Sequence, residues 1–247
     1  MTLTVLILGM VVPFFMANVR AMGAQARKMD ALQNARFAAS TIDRELRVAG
    51  AGVVGSQPLI VQADSMAITF NVDLVSRSPS DVAAVYFDPD ADANGVSALL
   101  PEASIVLPRT AWRYPDTSYS QAGGAPSTAE TISYWVAPDT AIDSEGLNAL
   151  YRRVNNLGST IVARGLLVSA GNPVFRYFKA DTIGRLVEIA GTVLPIYHSA
   201  KIHGSSADSA QSALTDSIRF VRLRFSSRSV DREGKTTIRT VETGVRI

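Results

Sequence analysis

Between Met16 and Ala49 the chain carries one long helical pattern with a single breaker, and this constrains the fold more than any other feature of its 247 residues. Gly23 is that breaker, and an isolated glycine weakens a helix without ending it. From Leu32 the small and apolar residues fall at Leu32, Ala35, Ala39, Ile42, Leu46 and Ala49, alternating steps of three and four that make a narrow seam on one helix face. The charges Arg27, Lys28, Asp30, Arg36, Asp43, Arg44, Glu45 and Arg47 are read as lying off the seam. Gly50-Ala51-Gly52 then supplies the left-handed stop that helices favour. One helix is expected from about Thr2 to Ala49, roughly 70 Å long at about 1.5 Å per residue.

The start of that helix is MTLTVLILGMVVPFFMANVR, nineteen residues without a charge before Arg20. Its apolar body is Leu3, Val5, Leu6, Ile7, Leu8, Val11, Val12, Phe14 and Phe15. A secretory signal peptide needs a basic start, and no basic residue precedes Leu3, so that first requirement is not met. The dense part, Val5 to Met16, falls slightly short of the about 20 residues of a full membrane span. This first third suits lipid or a hydrophobic bundle, where Pro13 would bend the helix at tolerable cost.

After Gly52 the period changes to that of strands. Val53-Val54, Leu59 to Val61, Met66 to Val72 and Val82 to Phe87 are short runs of β-branched and aromatic residues. Residues 88–128 are loop-rich, with DPDADANG, three prolines at 101, 108 and 115, and GlyGly before Pro126. Strand patterns resume at Thr131 to Val136, Ala149 to Val154, Ile161 to Val168 and Val174 to Lys179. Ile218 to Phe225 and Thr236 to Ile247 alternate as half-buried strands around a hairpin loop at 231–235. The expectation is an α+β fold: a long N-terminal helix over residues 1–52, packed on a mostly antiparallel β-sheet domain over 53–247.

The side-chain inventory excludes several chemistries. There is no cysteine, hence no disulfide, thiolate metal site or thiol nucleophile. A formal charge of +2 from 24 basic and 22 acidic residues is too balanced to argue for nucleic acid, and none is expected as a partner. Gly50-Ala51-Gly52-Val53-Val54-Gly55 matches GxGxxG by letter, but a helix precedes it and strands follow, the reverse of the dinucleotide order. No cofactor is therefore assigned. DPDADANG places Asp88, Asp90, Asp92 and Asn94 in alternation before Gly95, which resembles the start of an EF-hand loop. Glu102 falls one residue late for the bidentate ligand, so the string reads either as an acidic turn after a strand or as a calcium-binding loop outside the EF-hand class. His198 and His203 stand about 140° apart on a helix, or on opposite faces of a strand, and do not suit a shared metal. No nucleophile elbow or acid/base pair is nominated; an enzyme would have to rest on His198 or a single carboxylate.

The stretch QNARFAASTIDRELRVAGAG, Gln33 to Gly52, resembles the helix end of type IV pilin-like proteins, the minor pilins and minor pseudopilins. The matching positions are Gln33, Asn34, Ala35, Arg36, Ala38, Arg44, Glu45, Leu46, Arg47, Ala49 and Gly50. Leu150-Tyr151-Arg152-Arg153, Val162-Ala163-Arg164-Gly165, Phe175-Arg176-Tyr177-Phe178 and the closing Val241 to Ile247 resemble the strands of that family. The resemblance implies a non-enzymatic subunit that helps initiate or cap a type IV pilus or a type II secretion pseudopilus. It implies a membrane anchor over 2–19, an amphipathic assembly part over 20–49, and a seam that packs against sister helices. The implied partners are other minor and major pilins or pseudopilins, and the inner membrane before assembly. The implied location is the bacterial inner membrane, single-pass, with a periplasmic globular domain that ends at a filament tip. Such proteins carry a basic leader ending in Gly and a glutamate five residues into the mature chain; here no acidic residue precedes Asp30. The chain is therefore expected to begin about two turns inside the mature helix. The alternative is a membrane-anchored periplasmic or surface β-domain that binds a ligand or partner through the 88–128 loops.

Overall fold

The structure is a computed structural model that describes residues 15–16, 18–19, 22–23, 29, 32–53, 58–72, 105–110, 113–114, 130–140, 146–154, 158–168, 171–198, 210, 213–230 and 236–247. Its main element is a sheet of ten strands in which every pairing is antiparallel. The strands are β1 (Ile60–Asp64), β2 (Ala67–Val72), β5 (Glu130–Pro138), β6 (Asn148–Val154), β7 (Thr160–Leu167), β8 (Phe175–Ala180), β9 (Leu186–Glu188), β10 (Ile196–Tyr197), β11 (Ile218–Val230) and β12 (Thr236–Arg246). Two further short strands, β3 (Ile105–Val106) and β4 (Arg113–Tyr114), pair separately inside the region read as loop.

The sheet runs β10-β1-β2-β5-β6-β7-β11-β8-β9, with β12 joined to β11 off that path. β12 covers β11 from Phe220 to Val230 along one edge. The other edge is shared, by β8 over Ile218 to Leu223 and by β7 at Ser226 and Ser227. The sheet then curls until the approach to β8 meets the β1–β2 turn, where the Val174 and Phe175 amides both donate to the Ser65 carbonyl at 3.0 Å.

Helix is continuous over 32–46, here α1, and over 213–216, here α2. This corrects the expected α+β arrangement. The described chain is a β-rich domain with two short helices, and the isolated helical residues at 15–16, 18–19, 22–23 and 29 do not make up the long N-terminal helix. The physical reason lies in the balance of segments: alternating β-branched runs from Ile60 onward occupy most of the described residues, while α1 is closed by Gly50 at φ 82° and Gly52 at φ 71°.

The expected single-pass placement in the inner membrane is corrected as well. Among the described residues no helix is long and apolar enough to cross a membrane. Leu3, Val5, Leu6, Ile7, Leu8, Val11, Val12 and Phe14 lie outside the described residues, and Phe15 is an exposed helical residue.

The core lies between α1 and the sheet. Ala35, Ala38, Ala39, Ile42 and Leu46 pack with Ile68, Phe70, Ile132, Tyr134, Leu150, Tyr177 and Phe225. β2 is buried along its whole length although Thr69 and Asn71 alternate with Ile68, Phe70 and Val72. Its polar face is satisfied by neighbours: Thr69 and Ser133 hydroxyls lie 2.9 Å apart, Thr131 donates to Asn71 Oδ1 at 2.7 Å, and Gln62 donates to the Pro108 carbonyl at 2.9 Å.

Candidate functional site

The seam predicted on α1 faces the chain's own sheet. Ala35, Ala39, Ile42 and Leu46 are buried, while Leu32 and Ala49 are half-buried at its ends. Three alanines on this face let the helix axis approach the strands closely. Glu45 shares the face and is 9% exposed. Tyr134 on β5 donates to Glu45 Oε2 at 2.6 Å, and Arg152 on β6 donates to the same oxygen through Nε at 3.1 Å. Arg152 Nη2 lies 3.1 Å from Oε1. Tyr134 and Arg152 stand directly opposite each other in the β5–β6 register, so the two donors arrive side by side.

Burial, then the charge and hydrogen bond of Glu45, push the Tyr134 phenol well above its ordinary range. At Arg152 burial acts to lower the value, but the hydrogen bond and charge of Glu45 outweigh it and the guanidinium is held above its usual value. A carboxylate held by a phenol and a bidentate guanidinium fixes α1 on the sheet. Sequence reading missed it by placing Glu45 among the charges off the seam. The signal was present: Glu45 is three residues after Ile42, on the same helical face.

A second buried polar group sits at the β1–β2 turn. Asp64 is 3.4 Å from Arg109 Nε and accepts from Ser65 at 3.1 Å. The Tyr177 hydroxyl lies 2.9 Å from the Asp64 carbonyl and 2.8 Å from that of Ala67, and its single proton serves one of them. Burial first, and then the negative charge of Asp64, raise the Tyr177 phenol well above its ordinary value. This hydroxyl pins the turn to β8 from inside.

The remaining sequence candidates separate. Asp88, Asp90, Asp92 and Asn94 lie outside the described residues, as does His203 and most of 88–128. Among the described residues no three His, Cys, Asp or Glu side chains gather as a metal site. His198 is buried at the end of β10, with Nδ1 3.4 Å from Asp216 Oδ1 of α2.

On the side of α1 away from the sheet, Phe37 is 60% exposed. Phe15, Met16, Val19, Met22 and Met29, all helical where described, are exposed too. Of these six, Phe37 is the one that lies on α1, on the face opposite the Glu45 junction. No family model, no curated protein and no solved structure matches the chain.

Proposed function

We propose that the chain is a non-enzymatic assembly subunit of the minor pilin and pseudopilin kind, which joins other pilin-like subunits through helix packing at its N-terminal part and helps initiate or cap their filament. The observation that carries this is the exposed apolar set Phe15, Met16, Val19, Met22, Met29 and Phe37. Large apolar side chains left exposed close together in the sequence are what a partner macromolecule would cover. In the sequence, Phe15, Val19, Met22 and Met29 follow one another by four, three and seven residues, a helical period. The pilin-like resemblance of Gln33 to Gly52 names the kind of partner. The contact face differs from the seam first assigned, because Ala35, Ala39, Ile42 and Leu46 are already spent on the chain's own core.

The absence of cysteine makes the test direct. Single Met22→Cys and Phe37→Cys variants, made in cells that also produce the neighbouring pilin-like subunits, are treated with a short thiol-to-amine cross-linker. A covalent adduct with one of those subunits is expected at both positions and not at Arg239→Cys on exposed β12. Equal labelling at all three positions, or none at Met22 and Phe37, sinks the reading.

A further inference from the structure

A cleft of about 570 Å³ opens where the sheet curls back, between the β1–β2 turn, the approach to β8 and the segment after β9. That volume is in the range of small-ligand sites. Met66, Val168 and Pro173 give it an apolar wall, and Arg176 and Glu188 bring opposite charges to it. The two charges do not close on each other: Arg176 Nε lies 3.8 Å from Glu188 Oε1, beyond hydrogen-bond distance, and that Nε is buried with no hydrogen-bond partner among the described residues. The Arg176 side chain as a whole keeps 30% of its surface exposed and lines the cleft, so its guanidinium can be reached from there.

The surroundings sharpen the need for an anion. Arg176 stands directly opposite Arg222 in the β8–β11 register, and like charges so placed repel. Arg222 is compensated, lying 5.0 Å from the Phe178 ring centroid and 3.4 Å from Glu242. Arg224 stands just behind the cleft, donating to Asn172 Oδ1 at 2.9 Å. Of the three guanidiniums only Arg176 lines the cleft itself, where the one lining carboxylate is Glu188.

We propose that this cleft binds the C-terminal residue of a peptide: its carboxylate on Arg176, its backbone N–H on Glu188, and an apolar side chain against Met66, Val168 and Pro173. A guanidinium and a carboxylate match in fork geometry. Glu188 repels a doubly charged phosphate, whereas a singly charged group beside an N–H donor uses both residues. The site is independent of the assembly reading, since it lies on the sheet and shares no residue with the exposed apolar set.

The probe is N-acetyl-leucine, titrated into the full chain by calorimetry and followed by NMR shifts. Its carboxamide is expected to bind at least about tenfold more weakly, the loss of one charge-assisted pair, and Arg176→Gln is expected to lose as much. Gly191→Leu supplies a second variant: a Cβ there meets nothing within 4 Å, so the fold tolerates it while the side chain fills the cleft. It is expected to abolish binding with an unchanged melting temperature. 4-Methylpentanoate, which lacks the N–H, should bind more weakly than N-acetyl-leucine; equal affinity would assign the cleft to free carboxylic acids and overturn the peptide end. No binding at millimolar probe, equal binding of acid and amide, or full binding in either variant overturns the site itself.

Discussion

Tyr134 donates a hydrogen bond from its hydroxyl to Glu45 across the core, 2.6 Å long and between residues 89 apart in sequence. With Arg152 on the neighbouring strand, this places a charged tie in the middle of an otherwise apolar helix–sheet contact. Ala35, Ala38 and Ala39 are nearly interchangeable in shape, so apolar packing alone discriminates poorly between α1 in place and α1 shifted along the sheet. A buried carboxylate does discriminate, because any shift strands it without donors.

Loss of either partner should therefore destabilise the fold more than the contact area suggests. Glu45→Ala leaves the buried Tyr134 hydroxyl and the half-buried Arg152 without their acceptor, at an expected cost of about 3 kcal/mol, the low end for a buried pair. Tyr134→Phe removes one bond to a charged group and should cost about 1.5 to 3 kcal/mol. The double variant should cost less than the sum, since both changes delete the same bond. Urea unfolding of the three variants measures this; strictly additive values would mean that the bond does not hold the helix.

Two buried phenols make stability fall at high pH. Tyr134 and Tyr177 are both raised above their ordinary value, chiefly by burial. In the unfolded chain they lose their protons near about pH 10, whereas in the folded protein they keep them. Above that pH the unfolded state binds fewer protons, so stability declines with rising pH; below it the two phenols leave stability unchanged. The slope should approach about 1.4 kcal/mol per pH unit for each tyrosine. Denaturant unfolding between pH 8 and 11 on Tyr134→Phe should show a shallower alkaline slope than the parent, by up to about 1.4 kcal/mol per pH unit; an unchanged slope would remove Tyr134 from the account.

Much of this sheet was legible from period alone. Runs such as Met66 to Val72 and Ile218 to Phe225 alternate β-branched or aromatic residues with polar ones, and they form β2 and β11. The stop at Gly50 was legible because only glycine takes φ 82° without strain. β9 and β10 were missed because runs as short as Leu186–Glu188 and Ile196–Tyr197 carry no readable period; pairing with β8 and β1 defines them. The seam was found but its partner was not. A helical stripe states that a face is covered, and says nothing of whether a sister helix or the chain's own sheet covers it. The cleft at Arg176 was illegible for a related reason: Met66, Val168 and Arg176 meet only because the sheet curls.

The two faces of α1 should respond oppositely to truncation. Ile42 is fully buried, and Ile42→Ala should cost about 2 to 5 kcal/mol by transfer and cavity terms. Phe37 is exposed, and Phe37→Ala should change stability by no more than about 0.5 kcal/mol. Thermal unfolding of the isolated chain separates them. A large loss at Phe37 would mean that it packs within its own chain and is unavailable to a partner.

Two glycines should resist alanine for different physical reasons. Gly50 takes a left-handed backbone, and a Cβ there also meets Leu59 Cδ1 at 2.6 Å. Gly244 on β12 lies under a ring: its Cβ would stand 2.1 Å from Phe220 Cζ, while Phe220 meets Phe178 edge-on at 5.5 Å. Gly50→Ala should cost about 1 to 2 kcal/mol from backbone strain. Gly244→Ala should cost about 1 to 3 kcal/mol, because the ring must leave its partner. The origins are told apart by second-site changes. Phe220→Leu should recover most of the Gly244→Ala loss, since the obstacle is the ring. Leu59→Ala should recover little at Gly50, since the strain is in the backbone itself. Recovery at both sites would show that side-chain crowding, and not φ, decides the cost at Gly50.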